Sequence, residues 1–98
     1  MIEKIKSADV DYLFEALMAL ENIGEFYNFF EDICTVTEVL EMSKRLKAAK
    51  MLRAGTVYSE ISETTGLSTA TISRVNKCLK YGSGGYETVL ERLEADER

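Results

Sequence analysis

The sequence predicts an all-α protein, and three observations support that class. The 98 residues contain no proline, and strong helix formers such as leucine, glutamate, alanine and lysine dominate. Apolar residues recur at helical intervals along most of the chain. Residues 57–79, VYSEISETTGLSTATISRVNKCL, have the pattern of a helix-turn-helix. The length and the lack of a linker indicate a single domain over residues 1–98.

Two helices are predicted in the first third of the chain. The first runs from an N-cap at Asp9 to about Leu20 and carries a wide apolar stripe. Asn22 and Gly24 interrupt it, and a short second helix follows over residues 25–33. The aromatic cluster of that helix is most simply core or a dimer interface, and a ligand-binding box is the rarer alternative. Its members are Phe26, Phe29 and Phe30.

A long helix and a final amphipathic helix frame the predicted motif. Thr35 and Glu38 have the spacing of a capping box that opens a helix over residues 36–53, and Gly55 closes it. The two motif helices follow at about 58–65 and 69–81. Three glycines then precede a last helix at about 86–95. Six helices are therefore expected.

The turn of the motif has residues suited to a sharp change of direction. Gly66 can adopt positive φ and end the first helix, and Ser68 can cap the second. Apolar residues at 70, 72, 75 and 79 define one face of the second helix. Short hydroxyl and cationic side chains would face outward, as a helix in the DNA major groove requires. They are Thr69, Thr71, Ser73, Arg74 and Lys77. The alternative is an ordinary αα-corner in a helical core.

Charge is distributed unevenly along the chain. The whole sequence carries −5, but residues 1–43 carry −8, residues 44–81 carry +6 and residues 82–98 carry −3. The basic stretch contains the motif and the preceding KRLKAAKMLR run. A local positive face can contact phosphates whatever the total charge, although a solvated basic helix face is the simpler alternative.

Several functional classes are disfavoured. Cys34 and Cys78 lie 44 positions apart and the chain has no histidine, which excludes the common zinc patterns and histidine-based catalysis. No nucleophile–base pair, phosphate loop or dinucleotide motif is present, so no enzyme, cofactor or metal site is expected. The cysteines sit at apolar positions, which favours reduced thiols and a cytoplasmic location. No stretch is apolar enough to span a membrane.

The order of these elements, together with LSTATISRVNKCLKYGSGGYETVLERL, resembles the tryptophan repressor superfamily and most of all its YerC/YecD-type branch. The resemblance covers about residues 10–95 and is strongest at residues 70–74 and 78–80 and in the last helix. It implies a TrpR-like intertwined homodimer. Residues 9–54 would form the dimerisation helices and residues 57–81 the DNA-binding head. Two heads about 34 Å apart, as in helix-turn-helix dimers generally, would read a near-palindromic operator.

The resemblance also assigns roles to individual residues. Thr69, Ala70 and Ser73 match groove-facing positions at the start of the recognition helix. A possible effector pocket would lie beneath that helix, and its matching residues are Arg45, Thr71, Arg74 and Val75. Ser68 and Lys77 complete the predicted DNA-binding set.

Departures from the family pattern concern the effector and the phosphate contacts. Tryptophan-responsive members carry a glycine where this chain has Val75, whose branched side chain should fill the space for an indole ring. Tryptophan is therefore not the expected effector, which is either absent or a different molecule. Ser59 and Ser62 replace basic residues, so phosphate contacts would fall on other cations: Lys44, Lys47, Lys50, Arg53, Arg74, Lys77 and Lys80.

The leading hypothesis is a homodimeric, sequence-specific DNA-binding transcriptional regulator, most simply a repressor. The alternative is a homodimeric adaptor that uses the same fold as a protein-interaction module and does not bind DNA. The acidic N-terminal third is compatible with that alternative.

Overall fold

The computed structural model describes residues 2–97, and within this range it contains seven helices and no strand. The all-α prediction is confirmed. The helices are α1 (Ile2–Ile5), α2 (Ala8–Met18), α3 (Ile23–Ile33), α4 (Val36–Arg53), α5 (Tyr58–Thr65), α6 (Thr69–Tyr81) and α7 (Gly85–Asp96).

The observed helix count corrects the six expected from sequence. The additional helix, α1, is a single turn of four residues, too short to show a helical period in the sequence. The first predicted N-cap is also wrong. Ser7, not Asp9, caps α2: its backbone is extended and its Oγ accepts the Val10 N–H at 3.1 Å. Asp9 lies instead in the first turn, where a carboxylate favours the positive end of the helix dipole.

Helix α3 begins two residues earlier than predicted. Asn22 is its N-cap, with Oδ1 accepting the Glu25 N–H at 3.0 Å. Gly24 therefore lies inside the first turn and does not interrupt a helix. The bounds predicted for α4, α5 and α6 agree with the structure, and α7 differs by one residue at each end.

The chain divides into two compact units, residues up to Val36 and residues from Thr37. In the first unit, no residue of α1, α2 or α3 is buried within the single chain. Phe30 contacts Phe26 and Phe29, with ring centroids 6.3 Å and 6.2 Å apart. Large apolar side chains nevertheless remain exposed along all three helices, including Ile2, Tyr12, Phe14, Met18, Ile23, Tyr27 and Ile33.

The second unit contains a small, closed hydrophobic core. Ile61 and Ile72 are fully buried, and each such side chain stabilises the fold by roughly 1.5–3 kcal/mol. Helix α4 contributes residues with short side chains, the turn after α5 contributes a leucine, and α6 and α7 complete the cluster. The remaining members are Ala48, Ala49, Leu67, Val75 and Leu90.

Ion pairs connect the two outer helices of this unit. Arg53, near the end of α4, contacts Glu94 on α7 at 3.1 Å and Glu87 at 3.5 Å. Lys50 and Glu97 form a more exposed pair at 3.8 Å. The Arg53 side chain is only 22% exposed, so its two contacts are less screened by solvent than ordinary surface pairs.

Helix α6 ends just before Gly82, a position where a Cβ atom would clash with the preceding helical turn. The Gly82 N–H donates to the Cys78 carbonyl at 2.8 Å, and a Cβ on Gly82 would approach that oxygen to 2.3 Å. Backbone atoms surround this position, so no side-chain movement can relieve the contact. Gly84 then adopts φ of 82° and precedes α7.

We expect Gly82→Ala to lower the free energy of unfolding by roughly 1–3 kcal/mol, because the added methyl group overpacks the end of α6. Denaturant unfolding followed by circular dichroism measures the change. Gly85→Ala is the matched control. A Cβ there meets no atom within 4 Å, so stability should be unchanged or rise by up to about 1 kcal/mol. Equal effects of the two substitutions would contradict this explanation.

Candidate nucleic-acid interface

Side-chain hydrogen bonds hold the turn between α5 and α6. The Ser62 hydroxyl donates to the Leu67 carbonyl at 2.7 Å. The Thr65 hydroxyl donates to the Ile61 carbonyl at 2.8 Å and accepts the Leu67 N–H at 3.2 Å. Gly66 ends α5 with φ of 77°, as predicted. The direction of α6 relative to α5 is thus set by both backbone conformation and paired hydroxyls.

The N-terminus of α6 is capped by the residue predicted for that role. Ser68 Oγ accepts the Thr71 N–H at 3.2 Å and lies 3.1 Å from Thr71 Oγ1, to which it donates. Ser68 is exposed and Thr71 is half-buried. These two hydroxyls, both predicted to bind DNA, are thus engaged with one another, and their structural role is to begin the helix.

The inner face of α6 packs on the core, and its outer face is open. Ile72 and Val75 are buried and Leu79 is half-buried, whereas Ala70, which the sequence pattern grouped with them on one face, is exposed on the opposite face. The other predicted DNA-binding side chains are all exposed: Thr69, Ala70, Ser73, Arg74 and Lys77. A helix with small side chains at its leading end and cations further along can approach base edges and phosphates closely.

The cations predicted from sequence to contact phosphates fall into two groups, those that form ion pairs and those that do not. Arg53 pairs with glutamates of α7, Lys50 with Glu97 directly after α7, and Lys44 with Glu41 at 3.4 Å. Within residues 2–97, no ion pair involves the cations of α6 or Lys47. The α6 cations are Arg74, Lys77 and Lys80, and all three are exposed. In the described part of this unit, three unpaired cations therefore lie on α6, and the others are Arg45 and Lys47 on α4 and Arg92 on α7.

Helix α5 has the opposite character. Its sequence, YSEISETT, contains no cation, and Glu60 and Glu63 are exposed. Carboxylates repel phosphates, so α5 is poorly suited to follow a nucleic-acid backbone. The charges of the motif therefore favour contact with nucleic acid through α6 and not through α5.

The residues matched to an effector pocket do not share one environment. Val75 is only 3% exposed and belongs to the core cluster, as its branched side chain predicted. Arg45 and Arg74 are exposed, and Thr71 is engaged with Ser68. Position 75 on α6 is thus filled by a side chain that packs in the core.

Tyr86, in the first turn of α7, is a residue of this region that was not among the predicted site residues. It is half-buried against the hydrophobic cluster. Burial raises the pKa of its phenol, while the positive charge of Arg45 lowers it and the Cys78 thiolate raises it. Side chains of α4 and α6 thus both influence the ionisation of this phenol. No signal in the linear sequence brings these three residues together.

Neither a metal cluster nor a membrane-spanning helix is found in the described range. Among residues 2–97, no group of three or more cysteine, aspartate or glutamate side chains is placed to hold a metal ion. In the same range, no helix combines the length and apolar character needed to cross a membrane.

The chain is similar in sequence to Trp repressor-type proteins. The family described as Trp repressor protein matches residues 8–94. The uncharacterized protein YerC of Bacillus subtilis (strain 168) is 44% identical over 96 residues, which span 98% of this chain and 92% of YerC. These matches confirm the resemblance seen in the sequence, including its YerC-type branch.

Solved structures of similar proteins share the fold. A TrpR like protein from Eubacterium eligens ATCC 27750 has a TM-score of 0.91 and 51% identity, covering 94% of this chain and 95% of that one. A Trp repressor candidate from Staphylococcus aureus also has a TM-score of 0.91, with 46% identity over 96% of this chain and 94% of its own. The TrpR-like fold expected from the resemblance is confirmed.

We expect Tyr86 to ionise above the ordinary tyrosine pKa of 10.0 in the folded protein. The folded state then holds this proton more tightly than the unfolded chain. Its contribution to stability is complete below pH 10.0 and is lost as pH rises further. In an ultraviolet titration of tyrosinate absorbance, the component that titrates at the highest pH should be lost in Tyr86→Phe.

The control for this prediction is Arg45→Gln, which removes the nearby positive charge and should move the late component to still higher pH. An unchanged tyrosinate titration in Tyr86→Phe would show that the late component belongs to another tyrosine.

Proposed function

This chain belongs to the Trp repressor family of non-enzymatic regulators, and from that premise we propose that it is a homodimeric, sequence-specific DNA-binding transcriptional repressor. The observation that carries the proposal is the outer face of α6. The opposite face of α6 packs on a closed core, and this outer face begins with exposed small side chains and carries three cations that form no ion pair within residues 2–97.

In the proposed complex, the start of α6 enters the major groove. Thr69 and Ser73 offer hydroxyls to base edges or bridging waters, and the Ala70 methyl group can contact a thymine methyl group. Arg74, Lys77 and Lys80 neutralise phosphates on either side. Because the helix is already capped and packed, little ordering is needed when DNA binds.

Homodimer formation is supported by the apolar surface of the first unit. Its helices bury no residue within one chain, although they carry many large apolar side chains. Exposed apolar surface of this extent is typical of a protein–protein interface. A second copy of the chain would cover it symmetrically and would present two α6 helices to one near-palindromic operator. A regulator of bacterial type with free thiols would act in the cytoplasm.

The proposed regulator does not respond to L-tryptophan. Val75 occupies the position where tryptophan-responsive relatives are expected to have glycine, and its side chain is buried in the core. An effector, if the protein uses one, binds elsewhere or has a different shape.

Selection of bound sequences from a random DNA pool tests the central proposal. We expect an enriched near-palindromic sequence, and fluorescence anisotropy should show binding to it that weakens as salt rises. Lys77→Gln should reduce the slope of log affinity against log salt by about 0.9 for each phosphate that the lysine neutralises, or about twice that per dimer. Arg92→Gln, an exposed change on α7, should leave the slope unchanged.

Two results would reject the repressor proposal. One is the absence of binding at low salt, which would favour the adaptor alternative. The other is salt-dependent binding with no sequence preference. Sedimentation analysis of the same samples separately tests the homodimer.

We expect calorimetry to detect no binding of L-tryptophan to the unchanged protein, because the Val75 side chain occupies the required space. Val75→Gly should increase affinity for an indole ligand more than Val75→Ala does, since glycine opens the larger space. Circular dichroism must first show that both variants remain folded, because each removes core volume. Tight tryptophan binding by the unchanged protein would contradict the prediction.

A further inference from the structure

Tyr81 is exposed to an extent that packing does not explain. Its side chain is 82% exposed, more than any other large hydrophobic side chain in residues 2–97. Within the same range it takes part in no side-chain hydrogen bond and no ring contact. An aromatic residue with a polar tip and no intramolecular partner is typical of a binding surface.

Helical geometry places Tyr81 on the proposed DNA-facing side of α6. Ala70, Arg74, Lys77 and Tyr81 follow one another at spacings of four, three and four, so they form one stripe along the helix. All four residues are exposed, whereas Ile72 and Val75 on the other side are buried. Ala70 and Tyr81 are separated by about 16 Å along the axis.

The end of α6 holds Tyr81 in a defined position. The Gly82 N–H closes the last turn on the Cys78 carbonyl, and the chain leaves the helix directly afterwards. Lys80 precedes Tyr81 and adds positive charge near the helix C-terminus, which otherwise repels anions. The tyrosine is therefore presented from a regular helical turn next to a cation.

We propose that Tyr81 contacts the DNA backbone where α6 leaves the major groove, with its hydroxyl donating to a phosphate oxygen and its ring covering the adjacent sugar. This inference rests on the proposed DNA-binding function. The C-terminal end of a recognition helix can reach the backbone, and tyrosine hydroxyls are common phosphate donors. Since the phenol is uncharged, this contact raises affinity without releasing further counterions.

The test uses the full chain and the DNA sequence enriched by selection, with anisotropy measured over a series of salt concentrations. Tyr81→Phe removes only the hydroxyl and should weaken binding roughly three- to tenfold. Its salt slope and its base preferences should equal those of the unchanged protein. Tyr81→Ala should weaken binding further, since it also removes the ring.

Lys80→Gln is the matched control, because it removes a neighbouring charge and should reduce the salt slope as well as the affinity. Circular dichroism and sedimentation confirm that each variant keeps its fold and assembly.

Three results would overturn the inference. They are unchanged affinity in both Tyr81 variants, an altered salt slope in Tyr81→Phe, and altered base preference, which would place Tyr81 on the bases instead. If the unchanged protein shows no sequence-specific binding, the proposed function fails and this inference fails with it. Absence of the Tyr81 effect alone leaves the proposed function intact.

Discussion

The packing of α6 on the small core of the second unit is the constraint on which the candidate site depends. Ile61 and Ile72 are fully buried, and Leu67 brings the turn itself into the same cluster. Ala48 and Ala49, both fully buried, are the contribution of α4 to this cluster. Because the inner face of α6 packs on this core, the residues on its opposite face must point to solvent. Each residue of that face is exposed as a consequence of what its neighbours bury.

Hydrogen bonding and charge refine what packing begins. The buried Thr65 hydroxyl both donates and accepts a hydrogen bond, so its burial in the turn does not carry the free-energy penalty of an unsatisfied polar group. Two glutamates of α7 engage the partly buried Arg53, which makes its charge less available to phosphates, while Lys50 forms only an exposed pair with Glu97. The cations of α6 have no such partner within residues 2–97. A chain of net charge −5 can therefore present a positive helix, and local pairing matters more than the total.

The elements predicted well from sequence are those specified by local chemistry. Gly66 and Ser68 mark a helix end and a helix start through interactions that span only a few residues, and both roles are observed. Ser7 was missed because Asp9 is an equally good cap by residue type, and only the helical register distinguishes them. Helix α1 escaped notice because one turn contains too few residues to show a period.

The sequence by itself determined the helical class, the family resemblance, the helix-turn-helix and the hydroxyl-rich start of α6, since all of these follow from residue type and spacing along the chain. Only the tertiary structure decided which of those residues are exposed and unpaired, and so available to contact a partner. Arg53 and Glu94 are 41 positions apart, and Tyr86 is influenced by charges from two other helices. Such pairs depend on the distance between packed helices, which is set by the core and not by the local sequence. For the same reason, Tyr81 became a candidate contact only when its exposure was known.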